Sequence, residues 1–349
     1  MVPDNPIFTF LFLQFLIYVF LYIIIIYMKI LNYIFAFVII VSIGMLYDKY
    51  LKKYDIDSKE SHDKLIQYYL LNGESKKDNK PILWVHSKNE INSRNWLSFS
   101  SRNSKEVNQG YIEMCINSIK KHCSKSFKIC LINDESFSRL LPSWGIELNK
   151  LAEPIKSSVR RLAFTKLLHK YGGLCVPNST IMLRDPKPLM DMFLKDKDFF
   201  AVETLSRNKS ADTLKFVPSD NIMAAQQHSK TLEQLIQYSQ IQISTDNTDE
   251  KNFLGNFNIK LFDMYKKNEI NVINAKIFGM KDRDNNEILI EDLLSSSPIK
   301  LSNDCCCIVI PKDELLKRTK YNWFVRLSKE QIIESDNNIS NYLVYSLKK

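Results

Sequence analysis

Residues 168–183, LHKYGGLCVPNSTIML, resemble the surroundings of a catalytic metal ion. A helix that ends in Tyr-Gly-Gly and runs directly into an apolar strand often precedes carboxylates, the ligands that suit Mg²⁺ or Mn²⁺. Here the strand leads instead to Pro177, Asn178 and Ser179, none of which is an anionic ligand. The sequence therefore indicates the scaffold of a metal site without its usual carboxylate ligands, and no cofactor is firmly predicted.

Polar side chains also follow two other predicted strands. His86 lies at the end of ILWVHS, and Asp134 and Glu135 follow FKICLIN. Ligands of α/β proteins bind at the carboxyl ends of parallel strands, so these side chains are candidates for ligand contact. Arg160 and Arg161, on the helix before Tyr-Gly-Gly, are candidates for binding an anion. For each of these residues an ordinary structural role is the competing interpretation.

The elements that would position these side chains alternate between strand and helix. Apolar runs and helical periodicity predict strands at 82–87, 127–133, 173–183, 198–204 and 305–310, helices at 107–122, 157–171 and 249–267, and a short strand feeding a helix at 221–239. Ser157 is the predicted N-cap of its helix and Gly172 its left-handed C-cap. Pro177 should interrupt or end its strand. This alternation predicts an α/β domain with a largely parallel sheet.

Taken in order, these elements resemble the GT-A glycosyltransferases of the family-32 and capsular-polysaccharide-synthesis type. The segments that carry the resemblance are KPILWVH, YIEMCINSIKKHC with FKICLINDE, RRLAFTKLLHKYGGLCV, and NIMAAQQHSKTLEQLI, within about residues 81–265. The resemblance implies a Rossmann-type mixed sheet flanked by helices. It also implies transfer of a hexose from a nucleotide-sugar to a glycan, lipid or protein acceptor, with retention of configuration.

The same resemblance implies a donor side and an acceptor side of the site. The donor-binding residues would be His86, Asp134, Arg160, Arg161, Gly172, Gly173, Asn178 and Ser179. The acceptor-side residues would be Asn221, His228 and Gly255. No residue can be assigned as the catalytic nucleophile or base.

The chain departs from the family where the family binds its metal. The Asp-any-Asp motif is replaced by Pro-Asn-Ser at 177–179, and an Asp and an Arg of the preceding helix are replaced by Arg161 and Phe164. One hypothesis is that Arg160 or Arg161 neutralises the diphosphate in place of a metal, while Asn178 hydrogen-bonds the ribose or sugar. The alternative is an inactive module that binds a sugar or a partner at a membrane, or that only organises a membrane complex.

The N-terminus predicts a membrane anchor. Residues 7–28 and 30–47 are each almost wholly apolar and close to the length of one span. We expect an anchor of one or two spans at 1–47, a charged stalk at 48–80 and the glycosyltransferase-like domain at 81–349. Lysines at 49, 52, 53 and 59 favour a cytosolic location of that domain, with the Golgi or endoplasmic reticulum lumen as the alternative.

Charge and cysteine content narrow the class of protein. A net charge of +9 suits an anionic partner such as a nucleotide-sugar or a membrane surface. Because no compact array of basic and aromatic residues occurs, no nucleic-acid partner is predicted. The 7 cysteines include no CxxC pair, which indicates reduced thiols packed as small apolar side chains.

Overall fold

A computed structural model describes residues 42, 45, 69–70, 80–87, 109–204, 216–245 and 256–348. Apart from Ser42, Met45 and a few stalk residues, the predicted anchor and stalk lie outside these residues, and so does Gly255. Ser42 and Met45 are helical. Among the described residues, no helix has both the length and the apolar character needed to cross a bilayer. The elements below all belong to the second of the chain's two units, Leu65–Lys349.

Most of the strands form one mixed sheet. The strands in the described residues are β1 (Ile82–His86), β2 (Lys128–Ile132), β3 (Gly173–Pro177), β4 (Thr180–Met182), β5 (Phe199–Thr204), β6 (Val217–Ala225), β7 (Asn271–Ile273) and β8 (Cys307–Val309). Six of them follow the order β2-β1-β3-β6-β5-β7. Only β6 runs against the other five, because it is antiparallel to both β3 and β5. The predicted α/β fold with a largely parallel sheet is thereby confirmed.

Helices cover both faces of this sheet. They are α1 (Gly110–Cys123), α2 (Ser136–Leu140), α3 (Ile155–Tyr171), α4 (Lys187–Phe193), α5 (Lys230–Ser244), α6 (Asn256–Lys266), α7 (Ile290–Leu293), α8 (Lys312–Lys317), α9 (Lys329–Glu334) and α10 (Asn338–Leu347). Successive side chains of a strand point to opposite faces. Trp84 accordingly packs in the core formed with α3, α5 and α6, whereas Leu83 and Val85 pack in the core formed with α1 and α4.

The Gly-Gly pair sets the register between β1 and β3. Gly172 has φ +67° and ends α3. A Cβ atom on Gly173, where φ is +103°, would lie 2.1 Å from the carbonyl oxygen of Ile82. Only glycine permits this close approach at the amino end of β3. The resulting register aligns Pro177 with His86, so β1 and β3 end side by side.

Strand β6 leaves its regular pairing beside the carboxyl end of β3. Ala201 of β5 pairs with Met223 of β6, but the next residue, Val202, pairs with Ser219. Residues 220–222 of β6 therefore have no partner on β5. The pairing of β6 with β3 also stops at Met223. Bulges of this kind redirect side chains and are frequent beside active sites. This bulge carries Asp220 and Asn221 to the edge at which β1 and β3 end.

The strand predicted at 305–310 is present as β8, and it pairs with β4 in a separate two-stranded sheet. The predicted N-cap of α3 is wrong. Ser157 does not cap α3, which begins at Ile155 after Pro154, and the Ser157 hydroxyl donates instead to Glu153 Oε2. The seven cysteines are all free and buried, as predicted.

The C-terminal segment after β8 is folded. Helices α9 and α10 lie against α1, and the Phe324, Ile339 and Leu343 side chains share a core with its Tyr111. Within the described part of the chain this core also includes Ile308 of β8. The C-terminal segment therefore packs against α1 and β8 and stabilises this part of the domain.

Candidate active site

A cleft of about 690 Å³ opens where β1 and β3 end. This volume lies within the range of small-molecule sites, which is about 300–1,000 Å³. Its walls come from α3, the ends of β1 and β3, the bulge of β6, and the segment at 309–314 that follows β8. The predicted site residues that line it are His86, Arg160, Arg161, Asn178, Ser179 and Asn221.

Asp134 fixes two of these side chains from behind the cleft. Its carboxylate accepts hydrogen bonds from Arg160, Nε to Oδ1 at 2.7 Å and Nη2 to Oδ2 at 2.6 Å. His86 Nε2 donates to the same Oδ1 at 2.9 Å. Burial by itself would raise the pKa of Asp134, but the hydrogen bonds from Arg160 and His86 outweigh it and hold that pKa well below its ordinary value. Asp134 does not line the cleft and acts as an anchor for its neighbours.

Aromatic rings complete the surroundings of His86. Its ring lies edge-on to Phe164 at a centroid distance of 5.2 Å and stacks on Phe137 at 5.9 Å. Phe164 lines the cleft without filling it. The imidazole is therefore held in one orientation at the cleft wall.

Arg161 and Asp220 form an ion pair across the cleft between α3 and the β6 bulge. Arg161 Nε donates to Asp220 Oδ2 at 2.5 Å, and the two side chains are 25% and 24% exposed. The Arg161 guanidinium also lies 5.0 Å from the centre of the Phe257 ring of α6. In contrast, the side chain of Arg160 is only 10% exposed. Of these two adjacent arginines, Arg161 is therefore the one that a ligand can reach.

Asn178 and Ser179 form the turn between β3 and β4. The Ser179 hydroxyl donates to the Ile310 carbonyl at 2.9 Å, which ties the turn to the end of β8. Asn178 is 5% exposed and lines the cleft, yet its amide has no hydrogen-bond partner within the described residues. Its polar atoms are not among the fully buried, unpartnered side-chain atoms of the described residues, so they are open to the cleft, where a ligand could hydrogen-bond to them.

Three of the predicted site residues lie elsewhere. Gly172 and Gly173 are at the amino end of β3, at the opposite edge of the sheet, where backbone geometry explains them. His228 follows β6 at that same edge, and its N–H donates to the His169 carbonyl at 2.7 Å. The structure gives these three residues no place in the cleft. Gly255 lies outside the described residues.

Several lining residues were not predicted from the sequence. They include Asp220 of the β6 bulge and Asn258 of α6, and Lys312, Asp313 and Glu314 after β8. Asp220 directly precedes Asn221, a predicted site residue, so this adjacency could have identified it from the sequence. The 312–314 segment follows an apolar strand, as the predicted ligand-binding residues do, and this signal was also present.

A divalent cation bound as the family resemblance implies does not fit these residues. Positions 177–179 supply one amide and one hydroxyl, and the Ser179 hydroxyl already donates to Ile310. Among the described residues, no three His, Cys, Asp or Glu side chains come together as a metal site would require. Hard cations prefer several oxygen ligands, usually with carboxylates among them. The basic side chain of Arg161 lines the same cleft.

Comparison with known proteins gives no family assignment. No protein family and no curated protein matches the chain. Similar solved structures include the glycosyltransferase GlyE of Streptococcus pneumoniae TIGR4, with 12% identity and a TM-score of 0.39 over 78% of this chain and 61% of that one. Mouse xyloside xylosyltransferase 1 is 9% identical, with a TM-score of 0.35 over 57% of this chain and 86% of that one. The bifunctional glycosyltransferase WbbM is 11% identical, with a TM-score of 0.38 over 69% and 48%.

The match spans less than two thirds of the length of GlyE. TM-scores this low carry no argument about activity, which depends here on the residues of the cleft. The resemblance to family 32 stays a prediction.

Proposed function

We propose that the protein is a membrane-anchored glycosyltransferase that uses a nucleotide-sugar donor without the metal ion of the paired-aspartate motif. It would transfer a hexose to a glycan, lipid or protein acceptor, in agreement with the sequence resemblance. The observation that carries this proposal is the position of Arg161, a reachable guanidinium at the carboxyl ends of β1 and β3.

The hydrogen-bonding capacity of Arg161 suits a diphosphate. Its Nε–H is used by Asp220, while its terminal N–H groups have no hydrogen-bond partner within the described residues. A guanidinium can bind phosphate oxygens through two parallel hydrogen bonds. In transfer, the bond between the anomeric carbon and the phosphate oxygen breaks, and Arg161 would stabilise the charge that the departing diphosphate gains.

The amide of Asn178 supplies specificity in this proposal. It is buried at the cleft wall and retains both donor and acceptor capacity. A ribose or hexose presents hydroxyl groups that match this capacity. His86, held by Asp134, lines the same cleft.

One observation favours a second candidate function, a module that binds a sugar or a partner without catalysis. Each of the two arginines of α3 already has an aspartate counter-ion, so the cleft is not strongly cationic before ligand binding. Such a module would bind a nucleotide-sugar or a free glycan but would not turn it over.

Hydrolysis of nucleotide-sugars separates the two candidates. The full-length protein, purified in detergent, would be incubated with a panel of UDP- and GDP-hexoses in Mn²⁺ and in EDTA. We expect turnover that is equal in both conditions and that falls about 100-fold in Arg161→Ala, as when one charge-stabilising donor is removed. Arg184→Ala, which removes an exposed arginine far from the cleft lining, is the matched control. Binding without turnover supports the module, and turnover only in Mn²⁺ contradicts the metal-independent mechanism.

A further inference from the structure

Asp220 lines the cleft because strand β6 is irregular at this residue. Strand β6 breaks its pairing with β5 at residues 220–222, and its pairing with β3 has already ended at Met223. Without this bulge, Asp220 would remain in a regular ladder. A departure from both neighbouring strands, beside the ligand-facing edge of the sheet, indicates that the position of this side chain matters to the ligand.

In this structure one oxygen of the Asp220 carboxylate, Oδ2, is paired with Arg161. The Nε to Oδ2 distance is 2.5 Å, and each side chain is about a quarter exposed. A bare carboxylate at this position would repel the phosphates of a donor. Pairing with Arg161 neutralises that charge while the cleft is empty.

A diphosphate competes for the same guanidinium. It carries more negative charge than one carboxylate, and the terminal N–H groups of Arg161 remain available to it. When Arg161 turns to the diphosphate, Asp220 loses its partner and gains acceptor capacity inside the cleft. A carboxylate in that state accepts strong hydrogen bonds from hydroxyl groups.

We propose that Asp220 is a hydroxyl-binding carboxylate that Arg161 masks in the empty cleft and releases when a diphosphate binds. The inference rests on the proposed function and adds a step to it. Binding of the diphosphate prepares the site for a sugar hydroxyl, which belongs either to the transferred hexose or to the acceptor. No covalent bond changes in this step, in which one ion pair is exchanged for another.

The test compares Asp220→Asn with wild type and with Asp191→Asn as the matched control. Asp191 pairs with Lys187 on the surface of α4, away from the residues that line the cleft. Full-length proteins would be titrated calorimetrically with UDP and GDP, and then with UDP-glucose and GDP-mannose. Hydrolysis of the two nucleotide-sugars would be measured in parallel, and thermal unfolding would check the fold of each variant.

Opposite changes in binding and turnover are expected for Asp220→Asn. Removing the competing charge of Asp220 should tighten UDP or GDP binding about threefold to fivefold, because that change corresponds to the interaction energy of a partly exposed ion pair. Hydrolysis should fall about tenfold or more, because the hydrogen bond from the sugar hydroxyl to the charged Asp220 carboxylate is lost.

The affinities also show which hydroxyl Asp220 binds. If the hydroxyl belongs to the donor hexose, Asp220→Asn also loses the extra affinity that wild type has for the nucleotide-sugar over the nucleoside diphosphate. If it belongs to the acceptor, that extra affinity is kept. Asp191→Asn should match wild type throughout.

Two outcomes overturn the inference. Weaker UDP and GDP binding by a folded Asp220→Asn would mean that Asp220 orients Arg161 and does not mask it. Unchanged binding and hydrolysis would mean that Asp220 has neither role. If Asp220→Asn does not fold, Asp220→Glu is tested in its place. We expect Asp220→Glu to bind UDP with wild-type affinity and to hydrolyse the nucleotide-sugars more slowly than wild type. Hydrolysis at the wild-type rate would contradict the inference. Failure of wild type to bind any nucleotide overturns the proposed function itself, and this inference with it.

Discussion

Two neighbouring arginines of α3 have different roles because they are buried to different extents. Arg160 is 10% exposed and bonded through two nitrogens to Asp134, whereas Arg161 is 25% exposed and bonded through one nitrogen to Asp220. Removing one partner from a buried pair leaves an uncompensated charge, which costs far more than breaking a partly exposed pair. The first pair is therefore structural, and the second can respond to a ligand.

Replacing each arginine by methionine should lower the free energy of unfolding by different amounts. We expect Arg160→Met to lower the free energy of unfolding by about 3 kcal/mol, because Asp134 keeps its charge without its main partner. Arg161→Met should lower it by about 1 kcal/mol or less. Urea unfolding followed by circular dichroism measures both values. Equal losses in the two variants would contradict the division of roles.

The depressed pKa of Asp134 makes stability depend on pH. Because the folded-state pKa lies below the ordinary value of 3.8, the carboxylate stabilises the fold fully above about pH 4. This contribution is lost progressively as the pH falls below that value toward the folded-state pKa. The urea midpoint of wild type should therefore fall in acid more steeply than that of Asp134→Asn. Parallel pH profiles of the two proteins would count against a strong Asp134–Arg160 interaction.

At the scale of elements, the Tyr-Gly-Gly turn acts through the sheet and not through contact with a ligand. It brings β3 close to β1 at their amino ends, and the register that follows places Pro177 beside His86 at the other end. The cleft thus depends on a glycine four residues before its edge. The Tyr-Gly-Gly motif therefore positions the edge of the cleft without lining it.

Gly173→Ala tests this dependence. The added Cβ would lie 2.1 Å from the Ile82 carbonyl oxygen at a φ of +103°, so we expect a loss of about 3 kcal/mol or more, or failure to fold. Gly145→Ala is the control, since a Cβ there meets nothing within 4 Å. Thermal unfolding of both variants is the measurement. A Gly173→Ala protein as stable as the control would show that the close pairing of β1 and β3 is not required.

Much of the sheet could be predicted because its central strands are apolar runs. The strand β7, three residues long, offers no alternation long enough to recognise, whereas β4 lies within the strand predicted at 173–183. Strand β6 begins at Val217, earlier than predicted, because Pro218 and Asp220 are typical of loops and hide its first half. The bulge that this sequence produces could not be inferred, since it depends on pairing with two other strands.

Residues at strand ends were the part of the cleft lining that could be predicted from the sequence. His86 and Asn178 follow from the rule that ligands bind at the carboxyl ends of parallel strands, and both line the cleft. The choice between Arg160 and Arg161 could not be made from the sequence. It is decided by which aspartate each one meets after α3 packs against the sheet.

At the scale of the whole molecule, the location of the domain stays a prediction that glycosylation can test. N-x-S/T sequons begin at Asn178, Asn208 and Asn338; Asn178 and Asn338 are 5% and 4% exposed in the fold, and Asn208 lies outside the described residues. A glycan on Asn178 or Asn338 would not fit the folded domain, so Asn208 is the sequon that reports the location. In eukaryotic cells we expect no change in gel mobility after endoglycosidase treatment, in agreement with a cytosolic domain. A mobility shift would place the domain in the lumen.

The central claim is that this cleft binds a nucleotide-sugar through Arg161 and not through a metal ion. The direct measurement is calorimetric titration of the full-length protein with UDP- and GDP-hexoses in EDTA, for wild type and Arg161→Ala. We predict that at least one donor binds wild type in EDTA with an affinity that Mn²⁺ does not change, and that Arg161→Ala binds it about tenfold or more weakly. Binding that requires Mn²⁺, or that is the same in Arg161→Ala as in wild type, would contradict the claim.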